Sequence, residues 1–406
     1  DIARKLNVEL LVVAGLIDVG DSLEIVLNLV DVSPDERNIW TNKYETNMQN
    51  ILQLYSSAAR DIAQKLHLKL ADGVIKRLDT SRKVNRESLK ARYRGMYYLG
   101  RDDPKSFDKG IKYLLEAIDI DPADPVAYAA VALGYALKGH NYTSNSEESF
   151  NRAGFFADRA LELDSTMDKA YTARALLYLY QGWEWDKAKE AFIEALRINP
   201  NNDIAHAHFA WYYFVHNDFE NAKYHADKAV ILNPLYIAYN AWLATIYYNC
   251  KEYDKAETCA KEVLAERDSS VYANITLGWI SLLKKNYTEA INYMEKLPTK
   301  WDYWNLYRAY AYDIAGDREK ALTFRNQMEE KAKTKNIPEW QRGLMAAIMG
   351  NTDEAFKLFN IAIDKKQYQM MYINWYSFTE NLRNDPKYNE LLKRMNLPPY
   401  FSNPSK

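Results

Sequence analysis

A small residue returns at a nearly constant interval through most of this chain: Gly110, Ala153, Ala188, Ala222, Ala256, Ala290, Ala321 and Ala355, at steps of 43, 35, 34, 34, 34, 31 and 34 residues. Such a period confines the fold to an array of short units. A unit of that size cannot bury its own apolar face and must lean on its neighbours. A second register agrees with the first. Pro122, Pro200 and Pro234 follow Ile120-Asp121, Ile198-Asn199 and Leu232-Asn233, and Asp268 stands where the next proline would fall. Proline biases the residue before it away from the helical region, so these positions close helices. The longer first step predicts an insertion around His140 to Ser146.

Within each unit the small residues fall at helical spacing. The first helix of a pair carries Ala175-x-x-Tyr178, Ala210-x-x-Tyr213, Ala244-x-x-Tyr247 and Ala309-x-x-Tyr312. The second answers with Ala188-x-x-x-Phe192-x-x-Ala195, and more loosely with Ala222/Ala226/Ala229 and Ala355/Phe359/Ala362, each set on one face. With the 34-residue period, these residues resemble the tetratricopeptide pattern over about residues 88 to 365. The tryptophan usual near the start of that family's first helix is replaced by Tyr171, His206, Asn240, Asn274 and Asn305. The resemblance implies a mostly α fold, an α-solenoid in which helix hairpins wind into a right-handed superhelix.

Composition supports long helices. The 406 residues hold only 14 Gly and 12 Pro beside 32 Tyr and 10 Trp, which suits bulky helix packing better than a turn-rich β-sandwich. Charge is balanced, with 53 Lys+Arg against 55 Asp+Glu, so no net field recruits nucleic acid or an anionic membrane. The longest apolar run, Val8 to Ile17 broken only by Glu9, is about half of the ~20 residues that a membrane-spanning helix needs. Cys250 and Cys259 cannot form a multi-bridge framework or supply four zinc ligands.

Residues 8 to 44 follow a different period. Leu10 to Val13 and Leu23 to Val30, joined through Gly20-Asp21-Ser22, read as a hairpin, and Ile39-Trp40-Thr41 as a third strand. Leu23, Ile25, Leu27 and Leu29 alternate against Glu24 and Asn28, so one face is buried and the other partly wet. From Asn47, apolar residues at Ile51, Leu54, Tyr55, Ala58, Ile62 and Leu66 predict an amphipathic helix to about Leu70 that covers the sheet. Three strands and a helix make a thin domain, and its first half is expected upstream of Asp1.

A wider resemblance takes in both regions. The run Asp1 to Val8, the strand at Gly15, Leu29-Val30-Asp31 and Ile39 to Tyr44 look like the later part of a TolB N-terminal-like α/β domain. Trp183-Glu184-Trp185-Asp186-Lys187-Ala188, Asn199-Pro200 with Ala205-His206, and the ending Leu382 to Tyr388 through Arg394 to Pro398 resemble the C-terminal sensory regions of bacterial multidomain signalling proteins. In that family an effector, such as a CadC-like winged-helix domain, a nucleotide cyclase or a Ser/Thr kinase, commonly precedes a membrane helix. The resemblance implies a signalling role and a periplasmic or otherwise extracytoplasmic position. None of the effector motifs falls within these residues.

The sequence offers little for catalysis. There is no phosphate-cradling glycine loop, no Gly-x-Ser-x-Gly elbow, and no kinase or cyclase signature. Glu147-Glu148 and Glu329-Glu330 are adjacent on helices and do not converge. His206, His208, His216 and His225 form the one apparent histidine cluster, but His206 and His208 are two apart and point to different helix faces, against a metal pair. A bridge between Cys250 and Cys259 is disfavoured by about ten ångströms of helix rise. The reading is non-catalytic, with no cofactor and no metal.

What remains is a surface. Stacked hairpins leave their first helices lining a concave groove. The family's groove positions fall here on Trp211, Phe214, Tyr248, Tyr272, Trp279, Tyr303, Tyr310 and Trp340. Aromatic side chains give large contact area at low entropic cost, so the groove suits a peptide or a partner helix. The same residues fit packing between repeats equally well. Family members that clamp a C-terminal carboxylate use Lys, Asn and Arg at positions that are mostly apolar or aromatic here. The chain is thus expected to comprise a partial α/β domain over 1–70, a linker over 71–87, about eight helix pairs over 88–368 and a capping region over 369–406. Its expected role is to bind a protein or peptide, with no nucleic acid and no membrane span, as a sensory or interaction module. The alternative is a cytosolic assembly scaffold.

Overall fold

The computed structural model describes residues 3, 8–19, 22–32, 36–46, 50–69, 75, 85–101, 104–141, 146–299, 303–334 and 337–400. Most of the expected linker, the centre of the insertion near His140 and the Gly20-Asp21 turn lie outside the described residues. The chain divides into two compact units, one of residues 1–174 with 197–200, the other of residues 175–196 with 201–406.

In the first unit, β1 (Leu10–Val19), β2 (Ser22–Asp31) and β3 (Arg37–Thr46) form an antiparallel sheet in sequence order. Leu27 stands between Ala14 and Asn42, which sends Ile25, Leu27 and Leu29 to one buried face. The helix α1 (Ile51–Lys65) lies on it through Ile51, Leu54 and Ala58. Leu89 of the next helix, α2 (Arg86–Leu99), completes the same core, so sheet and first hairpin share one apolar cluster. β1 is an edge strand with Val12 and Val13 about half exposed.

The helix α2 starts at Asn85, whose side chain accepts from the Glu87 and Ser88 amides. It pairs with α3 (Pro104–Ile120), and α4 (Pro125–Asn141) pairs with α5 (Ser146–Leu163). Gly95 and Gly110 mark the closest approach of α2 and α3: a Cβ on either would lie 2.9 Å from the carbonyl oxygen of the other. A buried ion pair, Arg92 to Asp124 at 3.0 Å, ties α2 to the turn before α4.

The helix α6 (Asp168–Leu177) spans the division in sequence. In the second unit a π-helical turn, Tyr178–Gly182, leads into α7 (Trp185–Ile198). Four hairpins follow: α8 (Asp203–Val215) with α9 (Phe219–Leu232), α10 (Ile237–Asn249) with α11 (Tyr253–Glu266), α12 (Val271–Leu283) with α13 (Tyr287–Glu295), and α14 (Trp304–Ile314) with α15 (Arg318–Thr334). A fifth joins α16 (Glu339–Ile348) to α17 (Thr352–Asp364). The marker residues Ala153, Ala188, Ala222, Ala256, Ala290, Ala321 and Ala355 each lie in the second helix of a pair, with no exposed surface. Only a methyl fits there, which is the physical origin of the period.

One turn recurs between the paired helices. Trp183, Asn217, Lys251, Lys285, Gly316 and Gly350 hold the left-handed conformation, and after Asn217, for example, the Asp218 amide reaches back to the Tyr213 carbonyl at 3.0 Å. The same six-to-one bond follows Lys251, Lys285, Gly316 and Gly350. The fold is therefore mostly α, of the tetratricopeptide type, with a small N-terminal three-stranded sheet. Beyond α17 the regular pairs stop. Two 3₁₀ segments, Tyr368–Trp375 and Ser377–Leu382, precede a final helix, α18 (Pro386–Arg394).

Candidate protein-binding face

The eight aromatic positions singled out in the sequence stand on first helices of the hairpins in the second unit. Trp211 and Phe214 are on α8, Tyr248 on α10, Tyr272 and Trp279 on α12, Tyr310 on α14 and Trp340 on α16, while Tyr303 caps the start of α14. Successive first helices sit side by side, so these residues share a face.

That face is occupied by the chain itself. Residues 368–382 run across it as a strap, one ring against another. Trp211 meets Tyr372 edge-on at 5.5 Å between centroids, and Phe214 lies 4.0 Å from Trp375. Trp279 and Tyr310 approach Phe378 at 6.1 and 5.9 Å, and Trp340 stacks with Tyr376 at 6.5 Å. Tyr248 is hydrogen-bonded by Ser377, and Tyr303 by Tyr376. Tyr272 differs: it is 42% exposed, and its ring faces Trp242 of α10.

From the sequence these positions fit a partner groove and packing between repeats equally well, with residues 369–406 as a capping region; cover by residues 368–382 is not expected there. The difference has a physical cause. Tyr368, Tyr372, Trp375 and Tyr376 fall at the i, i+4, i+7, i+8 spacing of a helical stripe, with Phe378 off it, yet the segment folds as two 3₁₀ segments rather than as an α-helix. In that form it adds no further hairpin to the array, and its rings are buried against the first helices instead. Those strap residues, with Tyr180, Trp242 and Tyr307 on the facing side, were not identified from sequence. The density of aromatics after the last repeat was the available signal.

Burial sets the electrostatics. It pushes the hydroxyls of Tyr303, Tyr372 and Tyr376 well above the usual phenol range and that of Tyr310 up to about 12, so these groups remain neutral hydrogen-bonding partners. Tyr180, also buried, shares a 2.8 Å hydrogen bond with His208 Nδ1. The histidines pair in a way that the sequence did not suggest. His206 of α8 and His225 of α9 meet Nδ1 to Nδ1 at 2.8 Å, one ring donating and the other accepting. Burial, then the neighbouring His206, lowers the His225 pKa to about 4. His216 turns its Nδ1 to the Tyr212 carbonyl at 2.7 Å. Among the described residues no group of three or more His, Cys, Asp or Glu side chains is placed to hold a metal. Cys250 and Cys259 are free thiols, pushed by burial up to about 12. Among the described residues no helix is long and apolar enough to cross a membrane.

Comparison with known proteins agrees with the period. Residues 168–202 match the tetratricopeptide repeat family model. Anaphase-promoting complex subunit 3 of Schizosaccharomyces pombe is 22% identical over 182 residues, which is 45% of this chain and 26% of that protein. Anaphase-promoting complex subunit CDC16 of Saccharomyces cerevisiae is 26% identical over 213 residues, 49% of this chain and 23% of that protein. The chain spans about a quarter of the length of these curated relatives. Among solved structures, yeast Tom70 superposes with a TM-score of 0.45 at 18% identity, covering 85% of this chain and 76% of that one.

Proposed function

We propose that the chain, with its tetratricopeptide-type hairpins and a family-model match over residues 168–202, is a non-catalytic protein-interaction module whose partner site is the aromatic face of α8, α10, α12, α14 and α16. The observation that carries this is the strap itself: a protein segment is seated ring to ring on Trp211, Phe214, Trp279, Tyr310 and Trp340. A face that accommodates one aromatic segment has the shape and chemistry to accommodate another.

The finer role is signalling: the module acts as the sensory or interaction region of a larger bacterial protein, in an extracytoplasmic position. This rests on the resemblance at residues 1–44, 183–188 and 382–398. A second reading, a cytosolic assembly scaffold, is favoured by the two curated relatives, both subunits of an anaphase-promoting complex.

The face is tested with Trp211 and Trp279 replaced together by Ala in the full chain. Binding is measured to an array of 15-residue peptides graded in aromatic content. Affinity for the aromatic-rich members should fall about tenfold or more while helicity is kept. Unchanged binding in a folded variant would put the partner site elsewhere. Residence of the full-length protein in a membrane fraction, with this region reached by external protease, supports the signalling role, whereas co-purification in a stable cytosolic complex supports the scaffold.

A further inference from the structure

The strap differs from an ordinary piece of core in how it is held. Its shape comes from its own C-terminal neighbours. Arg383 Nη2 donates to the carbonyls of Asn374 at 2.8 Å and Tyr376 at 3.2 Å. Thr379 Oγ1 and Tyr388 Oη both donate to the Ile373 carbonyl at 3.0 Å. Toward the inner helices it presents rings, with Asn381 Nδ2 donating to the Ala347 carbonyl at 3.0 Å and with Ser377 and Tyr376 bonded to the Tyr248 and Tyr303 hydroxyls. It could leave the face with its internal bonds intact.

Three buried polar atoms of this region have no partner: Asn374 Oδ1, Trp375 Nε1 and Arg383 Nε. Such groups are rare in settled interiors, and each would regain a hydrogen bond in water. The two segments are 3₁₀ rather than α, with the weaker hydrogen-bond geometry of that form. Deep burial of Met371, Ile373 and Thr379 opposes release, so the docked state dominates in the isolated chain.

The strap also shows what the face accepts. From Tyr368 to Thr379 there is no charged residue, while five aromatic rings fall within eleven positions. We propose that residues 368–382 are an internal occupant of the partner site, and that the partner is a protein segment with several aromatic side chains and few charges that binds by displacing them. This rests on the inner face being the binding face proposed above. Partner affinity is then reduced by the fraction of molecules in which the strap is docked.

The test uses the full chain and, as probe, a labelled synthetic peptide of residues 367–383. Arg383→Ala removes two of the four bonds that shape the strap, those to the Asn374 and Tyr376 carbonyls, without altering an inner helix. The peptide should bind the Arg383→Ala chain about tenfold or more tighter than the unaltered chain, and adding Trp279→Ala should abolish the gain. Equal, Trp279-dependent binding to both would overturn displacement and leave the binding face standing. Failure to bind either chain, with strap amides in Arg383→Ala exchanging freely, would remove the binding face itself. Should Arg383→Ala lose its fold, amide exchange on the unaltered chain decides: saturating peptide should raise exchange at Met370 and Thr379, and no change overturns the proposal.

Discussion

The ring of Phe214, on α8, lies 4.0 Å centroid to centroid from the ring of Trp375 in the C-terminal strap, the two planes inclined by 32°. The two residues are 161 positions apart. Their contact makes a stack of hairpins, each touching chiefly its neighbours, into a unit with long-range closure.

Phe378 is the pivot of that closure, 3% exposed and surrounded by Trp279, Tyr307, Tyr310 and Tyr376. Phe378→Ala should cost about 3–5 kcal/mol of unfolding free energy, the usual price of emptying a buried aromatic site. Urea unfolding followed by circular dichroism checks it. A loss below about 1 kcal/mol would mean that the strap is not packed as described.

Two glycines of similar crowding should respond differently. A Cβ at Gly278 would meet the terminal methyl of Met294 at 2.5 Å, and a methionine can move aside. A Cβ at Gly95 would meet the Leu114 side chain at 2.5 Å and the Gly110 carbonyl oxygen at 2.9 Å, which cannot yield without moving a helix. Gly95→Ala is expected to destabilise by about 1–3 kcal/mol, and Gly278→Ala by less than about 1, since alanine also favours the helix. Thermal unfolding of both variants should rank them in that order.

Lys251 and Lys285 hold left-handed turns at φ 63° and 59°, where the next two repeats have Gly316 and Gly350. Lys285→Gly should stabilise by about 0.5–1 kcal/mol, relief of the left-handed strain exceeding the added entropy of the unfolded chain. Gly350→Ala should destabilise by a similar amount. A reversed sign in denaturant unfolding would contradict the turn assignment.

The His206–His225 pair should make stability depend on pH. The folded His225 is held at about 4 against an ordinary 6.5, so the unfolded chain binds more protons between those values. The stabilisation is whole above pH 6.5 and is lost as pH falls toward 4, on the order of 1–2 kcal/mol once screening at a partly wet ring is allowed for. Unfolding midpoints at about pH 7.5 and about pH 5 should separate more for the unaltered chain than for His225→Phe. Equal separations would show that the pair titrates normally.

The repeat was legible because it is local and periodic: Ala188, Ala222 and Ala256 report a spacing that any helix hairpin of this size must respect. The strands were legible for the same reason, through the alternation of Ile25, Leu27 and Leu29. The aromatic positions could be assigned to one helix face but not to what covers it, because periodicity carries no information on contacts between Phe214 and Trp375. The His206–His225 meeting was hidden likewise: the two belong to different helices, and only the hairpin angle brings their Nδ1 atoms together.

The central claim is that the strap lies on the inner face of the hairpins of its own molecule. A p-benzoylphenylalanine in place of Phe378 tests it directly, because the photoreactive ring abstracts hydrogen only from groups within a few ångströms. The account predicts cross-links within a single chain to α12 and α14, at or beside Trp279, Tyr307 and Tyr310. Cross-links to other helices, or only between molecules, would contradict it.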